Sequence, residues 1–130
     1  MSEKTIISIV ESLLHPNYSE LYRSKGLSEV KVNSIRKAIS LFKKKPVDFI
    51  VAEFYYAYSS NYASGHLCNL DVLFISLAKY SPNTRVIVLA EKSDYQYINV
   101  LDELNYPHVA ALRHPTTAEQ VEALLDKFPA

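Results

Sequence analysis

Glu11, Glu53 and His114 each follow a short apolar run, and two carboxylates with an imidazole can together take up and return a proton if the fold gathers them. A catalytic set also needs a nucleophile with a base beside it. Ser12, next to Glu11, sits in Glu11-Ser12-Leu13-Leu14, with no elbow motif around it to activate a serine. A histidine beside carboxylates is commonly an ion-pair partner, so the trio reads as electrostatic and no enzyme is expected. His66-Leu67-Cys68 offers two soft ligands, but no second pair stands at zinc-like spacing, so no metal site is expected. Cys68 reads instead as a small residue near a helix start. The segment Glu11 to Asn17 contains no glycine and begins with an anion, which receives the phosphate of a flavin or nucleotide poorly. No cofactor is expected.

The elements that must position these residues are legible as alternating runs. Ile6–Val10, Val30–Val32, Phe49–Ala52, Val86–Leu89 and Val109–Leu112 are apolar, rich in Val and Ile, and the longer ones do not alternate cleanly with polar residues. That pattern suits strands covered on both faces. Between them lie helical stripes with start signals. Ser34 caps Ile35, Ala38, Ile39 and Phe42; Asn69 caps Leu70, Leu73, Phe74 and Leu77; Ser93-Asp94 opens a segment with Tyr97, Leu101 and Leu104. Thr116 with Glu119 forms a capping box ahead of Val121, Leu124, Leu125 and Phe128. A short first helix fits between Pro16 and Ser24, with Gly26 as its left-handed stop. Five β-α repeats imply an α/β fold with a doubly wound parallel sheet, in which function gathers at the carboxyl ends of the strands.

At 130 residues the chain fits one domain, 1–130, and its 48% hydrophobic content supports a packed core. Fourteen basic side chains balance fourteen acidic ones, so no overall field draws in nucleic acid, and neither nucleic acid nor membrane is expected as a partner. The run Lys43-Lys44-Lys45 stands where a helix ends and complements its dipole. A lone cysteine cannot form an internal disulfide, and no apolar run reaches membrane-spanning length. Together these imply a cytoplasmic protein.

The stretch Val47-Asp48-Phe49-Ile50-Val51-Ala52-Glu53, the run Val86-Ile87-Val88-Leu89-Ala90, and His114-Pro115 before a Thr-started helix resemble the receiver domain of two-component response regulators, over nearly the whole chain. The resemblance implies a three-layer α/β/α sandwich of flavodoxin-like (CheY-like) type, with strand order 2-1-3-4-5. It also implies a pocket that has lost its phosphotransfer groups. The acidic pair that holds Mg²⁺ in the family is matched by Glu11 and Ser12, only one of them acidic. The phosphoacceptor aspartate is matched by Glu53. The hydroxyl residue is matched by Ala90, or Leu89 in the neighbouring register; the lysine of the family's cis Lys-Pro by His114; the aromatic switch residue by Ala111. Losing metal, cation and hydroxyl together should abolish phosphoryl transfer, which defines a degenerate pseudo-receiver acting by protein-protein contact. Two alternatives stay open: a small-molecule sensor or enzyme using the strand-end crevice, and an atypical receiver phosphorylated at Glu53.

The segment from Phe54 to His66 is longer than the loop the family has after this strand, and it carries Tyr55, Tyr56, Tyr58 and Tyr62. Tyrosine mixed with serine and glycine gives rigid contact area and adaptable hydrogen bonding, a composition of binding surfaces. Phe54 and these tyrosines are therefore a candidate interaction loop; packing over the altered pocket is the equal alternative. Tyr95, Tyr97 and Tyr106 lie on or beside the expected fourth helix, a partner face in the family, and form a candidate homodimer face.

Overall fold

A computed structural model describes residues 4–11, 16–54, 70–91, 95–96, 98–104 and 106–127. Five strands, β1 (Lys4–Ile9), β2 (Leu27–Val32), β3 (Phe49–Phe54), β4 (Arg85–Ala90) and β5 (Val109–Arg113), form one sheet. All neighbours pair in parallel, in the order β2-β1-β3-β4-β5. This is the flavodoxin-like topology, with the order reversing between β1 and β3.

Helices α1 (Ser19–Ser24), α2 (Ile35–Lys44), α3 (Asp71–Tyr80) and α4 (Ala118–Lys127) cover the sheet, with a 3₁₀ segment at Ile98–Leu104. Strand alternation divides the core between two faces. Ile7, Ile9, Ile50, Ala52, Val86 and Val88 pack under Ala38 and Phe42 of α2, Leu73, Phe74 and Leu77 of α3, and Leu101. On the opposite face Ile6, Phe49, Val51, Ile87 and Leu89 pack against Tyr22 of α1 and Val121 and Leu125 of α4. β3 is buried along its entire length, which is why its sequence shows no polar alternation.

Local chemistry accounts for most of the boundaries. Ser34 Oγ accepts from Lys37 N at 3.2 Å and starts α2, as expected. Gly26, at φ +76°, turns the chain from α1 into β2. Lys25 beside it reaches Glu122 and Asp126 on α4, both at 2.9 Å, tying the two helices of that face together.

Three expected helix starts are corrected. α3 begins after Leu70, which makes no side-chain cap; Asn69 lies outside the described residues. The capping box of α4 is one residue further on: Thr117 N donates to Gln120 Oε1 at 2.9 Å and Gln120 N to Thr117 Oγ1 at 3.2 Å, while Thr116 Oγ1 pairs with the Tyr18 hydroxyl at 2.8 Å. The fourth helix is a 3₁₀ segment, consistent with the weak helix formers Ile98, Asn99 and Val100 and the nearby stop at Pro107. Ser93, Asp94 and Tyr97 lie outside the described residues, as does Phe128.

Candidate functional site

The carboxyl ends of β1 and β3, flanking the reversal in strand order, bring Glu11 and Glu53 together. Glu53 is the fifth of six β3 residues and is only 2% exposed, so its side chain points into the molecule rather than out of the strand end. Its Oε2 accepts the backbone N–H of Glu11 at 2.7 Å. A carboxylate accepting a backbone N–H is a charge-assisted hydrogen bond, stronger than a neutral one. Here it fastens the exit of β1 to the end of β3. Glu11 itself is exposed.

Across the ladder, Glu53 pairs in register with Leu89, and Phe54 with Ala90. Leu89 and Ala90 are both buried, and neither supplies a hydroxyl in either register. Ala111 on β5 pairs with Val88 and is half-buried. His114 continues the β4–β5 ladder, its N–H donating to Ala90 O at 2.8 Å, and the His114–Pro115 peptide is cis, the arrangement that the resemblance implies. β4 separates β5, which His114 follows, from the Glu53 strand, whereas the strands that lead to the two glutamates are adjacent. Ser12, Tyr55, Tyr56, Tyr58, Tyr62, His66 and Cys68 lie outside the described residues. Among the described residues no three His, Cys, Asp or Glu side chains are grouped to hold a metal ion.

Two tyrosine-region assignments need correction. Phe54, taken as the start of an interaction loop, is the last residue of β3 and is 1% exposed in the core under α3. Strand pairing continues through Glu53 and Phe54 because both register partners on β4 are present. Tyr106, taken as part of a dimer face, is 8% exposed. Its ring stacks on Phe74 at 5.4 Å and its hydroxyl donates to Thr84 O at 2.6 Å. Burial pushes the Tyr106 phenol up to about 12. With Ser81 and Thr84, which bind each other and the backbone of Val47, it forms a polar clasp at the amino ends of the strands, away from Glu53. Of the remaining dimer-face residues, Tyr95 is half-buried against the core and Tyr97 lies outside the described residues.

Sequence reasoning missed a polar cluster on the α1 face. Glu29 of β2 accepts from Ser8 Oγ at 2.6 Å and from Ser19 Oγ, close to the buried Tyr22. Burial, and then the negative charge of Glu29, push the Tyr22 phenol far up. Nothing in the sequence pairs Ser8, Ser19 and Glu29; the β1–β2 register sets Ser8 diagonally across from Glu29, and α1 brings Ser19 to the same carboxylate.

No family model and no curated relative matches the sequence. Solved structures do match in shape. A response regulator receiver domain protein from Clostridium thermocellum is 19% identical with a TM-score of 0.68, over 95% of this chain and 91% of that one. A response regulator receiver protein from Sinorhizobium medicae WSM419 is 14% identical with a TM-score of 0.68, over 96% and 92%. A response regulator from Thermotoga maritima is 12% identical with a TM-score of 0.67, over 98% of each chain. By strand order, helix placement and these neighbours, the chain has the fold of response-regulator receiver domains.

Proposed function

We propose that the chain is a pseudo-receiver: a regulatory domain of the signalling type that works without phosphorylation, in the cytoplasm, through contact with another protein or with a second copy of itself. The observation that carries this reading is Glu53. It stands at the position matching the phosphoacceptor, 2% exposed, with its carboxylate engaged by the Glu11 N–H. A phosphoryl acceptor needs in-line access for the donor and groups that neutralise the charge developing on the transferred oxygens.

The supporting groups are altered in the same direction. Mg²⁺ in the receiver family is held by a carboxylate set; among the described residues the pocket supplies Glu11, exposed, and Glu53, buried and bonded to backbone, and this donor set does not fit the ion. Leu89 and Ala90 offer no hydroxyl for a phosphoryl oxygen, and His114 replaces the family's long lysine with a shorter imidazole side chain. On this reading the domain is not an enzyme and needs no cofactor.

Incubating the purified chain with acetyl phosphate and Mg²⁺ should leave its intact mass unchanged. The Glu53→Asp variant should behave the same way, because restoring the acceptor alone leaves the hydroxyl, the second acid and the lysine missing. A stable phosphate on Glu53 would establish the atypical receiver instead.

One observation favours the sensor reading as a second choice. A cavity of about 460 Å³ opens on the β1–β2 side, lined in part by Ser8, Asn17, Glu29, Lys31 and Lys37. Its size is that of a small-ligand site. Stabilisation by a nucleotide or flavin in a thermal-shift screen would favour that reading over the one proposed.

A further inference from the structure

We infer that the free edge of β2 is a homodimer contact, through which two copies pair their β2 strands antiparallel about Val30 and join their sheets into one. The inference rests on the interaction role proposed above and names its partner: a second copy of this chain.

The argument starts from the backbone. β2 ends the sheet, pairing only with β1 among the described residues. Val10 N donates to Val32 O at 2.8 Å, so the backbone groups of Val32 face β1. Direction alternates along a strand, so Ser28 and Val30 face β1 as well, while the N–H and C=O of Glu29 and Lys31 face outward. An edge of this kind is a template for another strand.

The side chains select which strand. In an antiparallel pair centred on Val30, Glu29 stands directly opposite Lys31 of the second copy, and Lys31 opposite its Glu29. Both are hydrogen-bonded pairs, each exchanging two N–H···O=C bonds. The two-fold axis is normal to the sheet, so Glu29 and Lys31 of both copies lie on the α1 face and meet with opposite charge. Val30 meets Val30 of the second copy on the other face, and both Val30 and Val32 are half-buried in the single chain while the sheet interior is fully buried. Lys31 is exposed, and the Glu29 carboxylate, which accepts from Ser8 and Ser19 on the α1 face, keeps further lone pairs for a lysine of the second copy.

The opposite edge lacks this complementarity. There His114 N donates to Ala90 O, so the outward-facing residues of β5 are Val109, Ala111 and Arg113, which contain a single charge. The same pairing at β5 would set Arg113 against Val109.

Sedimentation of the whole chain over a concentration series tests the inference. Twice the monomer mass of 14.8 kDa is expected, with dissociation rising as salt screens the four charges. Lys31→Glu sets two glutamate pairs face to face and should weaken the dimer on the order of tenfold or more. Lys31→Pro removes an outward N–H without touching the β1 ladder, so it should leave a folded monomer by circular dichroism. Mixing Lys31→Glu with Glu29→Lys, each monomeric alone, should restore a heterodimer, because every facing pair is again opposite in sign. A wild-type monomer at all concentrations would overturn the inference, and so would a dimer indifferent to Lys31→Pro. Either result leaves the phosphodonor test of Glu53 unaffected, so the two readings fail separately.

Discussion

Glu53 and Tyr106 show how little a residue's type says about its use until its surroundings are known. Each is a buried polar side chain with backbone contacts that can be named: Glu11 N–H for the carboxylate, and Thr84 O and Ser81 O for the phenol. The phenol has a consequence in alkali. Its folded-state pKa, about 12, lies above the ordinary value of 10.0, so between those limits the folded chain holds a proton that the unfolded chain has released. Stability contributed by the neutral phenol is therefore complete below pH 10 and falls as pH rises toward 12, by on the order of 2 kcal/mol. Tyr22, raised in the same direction, adds to the decline. Urea unfolding at neutral pH and at about pH 11 measures this. Tyr106→Phe should cost about 0.5–1.5 kcal/mol at neutral pH through the lost hydroxyl bond, and should show a smaller alkaline decline than wild type.

At the scale of elements, the helix stripes were legible and their starts were less so. α2 begins where its serine signals, but α4 has two adjacent threonines, and sequence alone gave no reason to choose between Thr116-Glu119 and Thr117-Gln120. The choice is made by a contact from 98 residues away, since Tyr18 engages Thr116 and leaves Thr117 to cap. Thr117→Ala should therefore lose the reciprocal cap and cost about 0.5–2 kcal/mol in thermal or urea unfolding. Thr116→Ala should leave the capping bonds of α4 intact while freeing Tyr18. Equal loss of helix signal in the two variants would contradict this division. The 3₁₀ segment differs from the expected regular helix for a related reason: apolar spacing in the sequence does not distinguish three residues per turn from 3.6 over so short a run.

For the whole molecule, the sheet is the shared wall of two cores. Ile6 and Ile7 are adjacent and both 0% exposed, yet they belong to opposite clusters, one under α1 and α4 and the other under α2 and α3. Truncating either side chain should cost about 2–5 kcal/mol. Because the strands contribute to both faces at once, Ile6→Ala and Ile7→Ala should each lower a single cooperative transition, with circular dichroism and tyrosine fluorescence moving together. Two separated transitions would mean that the faces unfold independently. The same sheet has two edges, and their charges differ: β2 offers Glu29 and Lys31 outward, while β5 offers Arg113 alone.

Taken by itself, the sequence determined the class of fold. Continuous apolar runs separated by capped stripes admit few arrangements besides a covered parallel sheet. It did not determine which polar groups meet. That Glu53 turns inward to Glu11, that Tyr106 closes the amino ends of the strands rather than offering a surface, and that Glu29 gathers Ser8 and Ser19 depend on strand register and on contacts between residues far apart in the chain. Periodicity records which side of an element is buried. Only the tertiary structure brings a donor from one element to an acceptor on another, and a buried polar group must find such a partner for the fold to be stable.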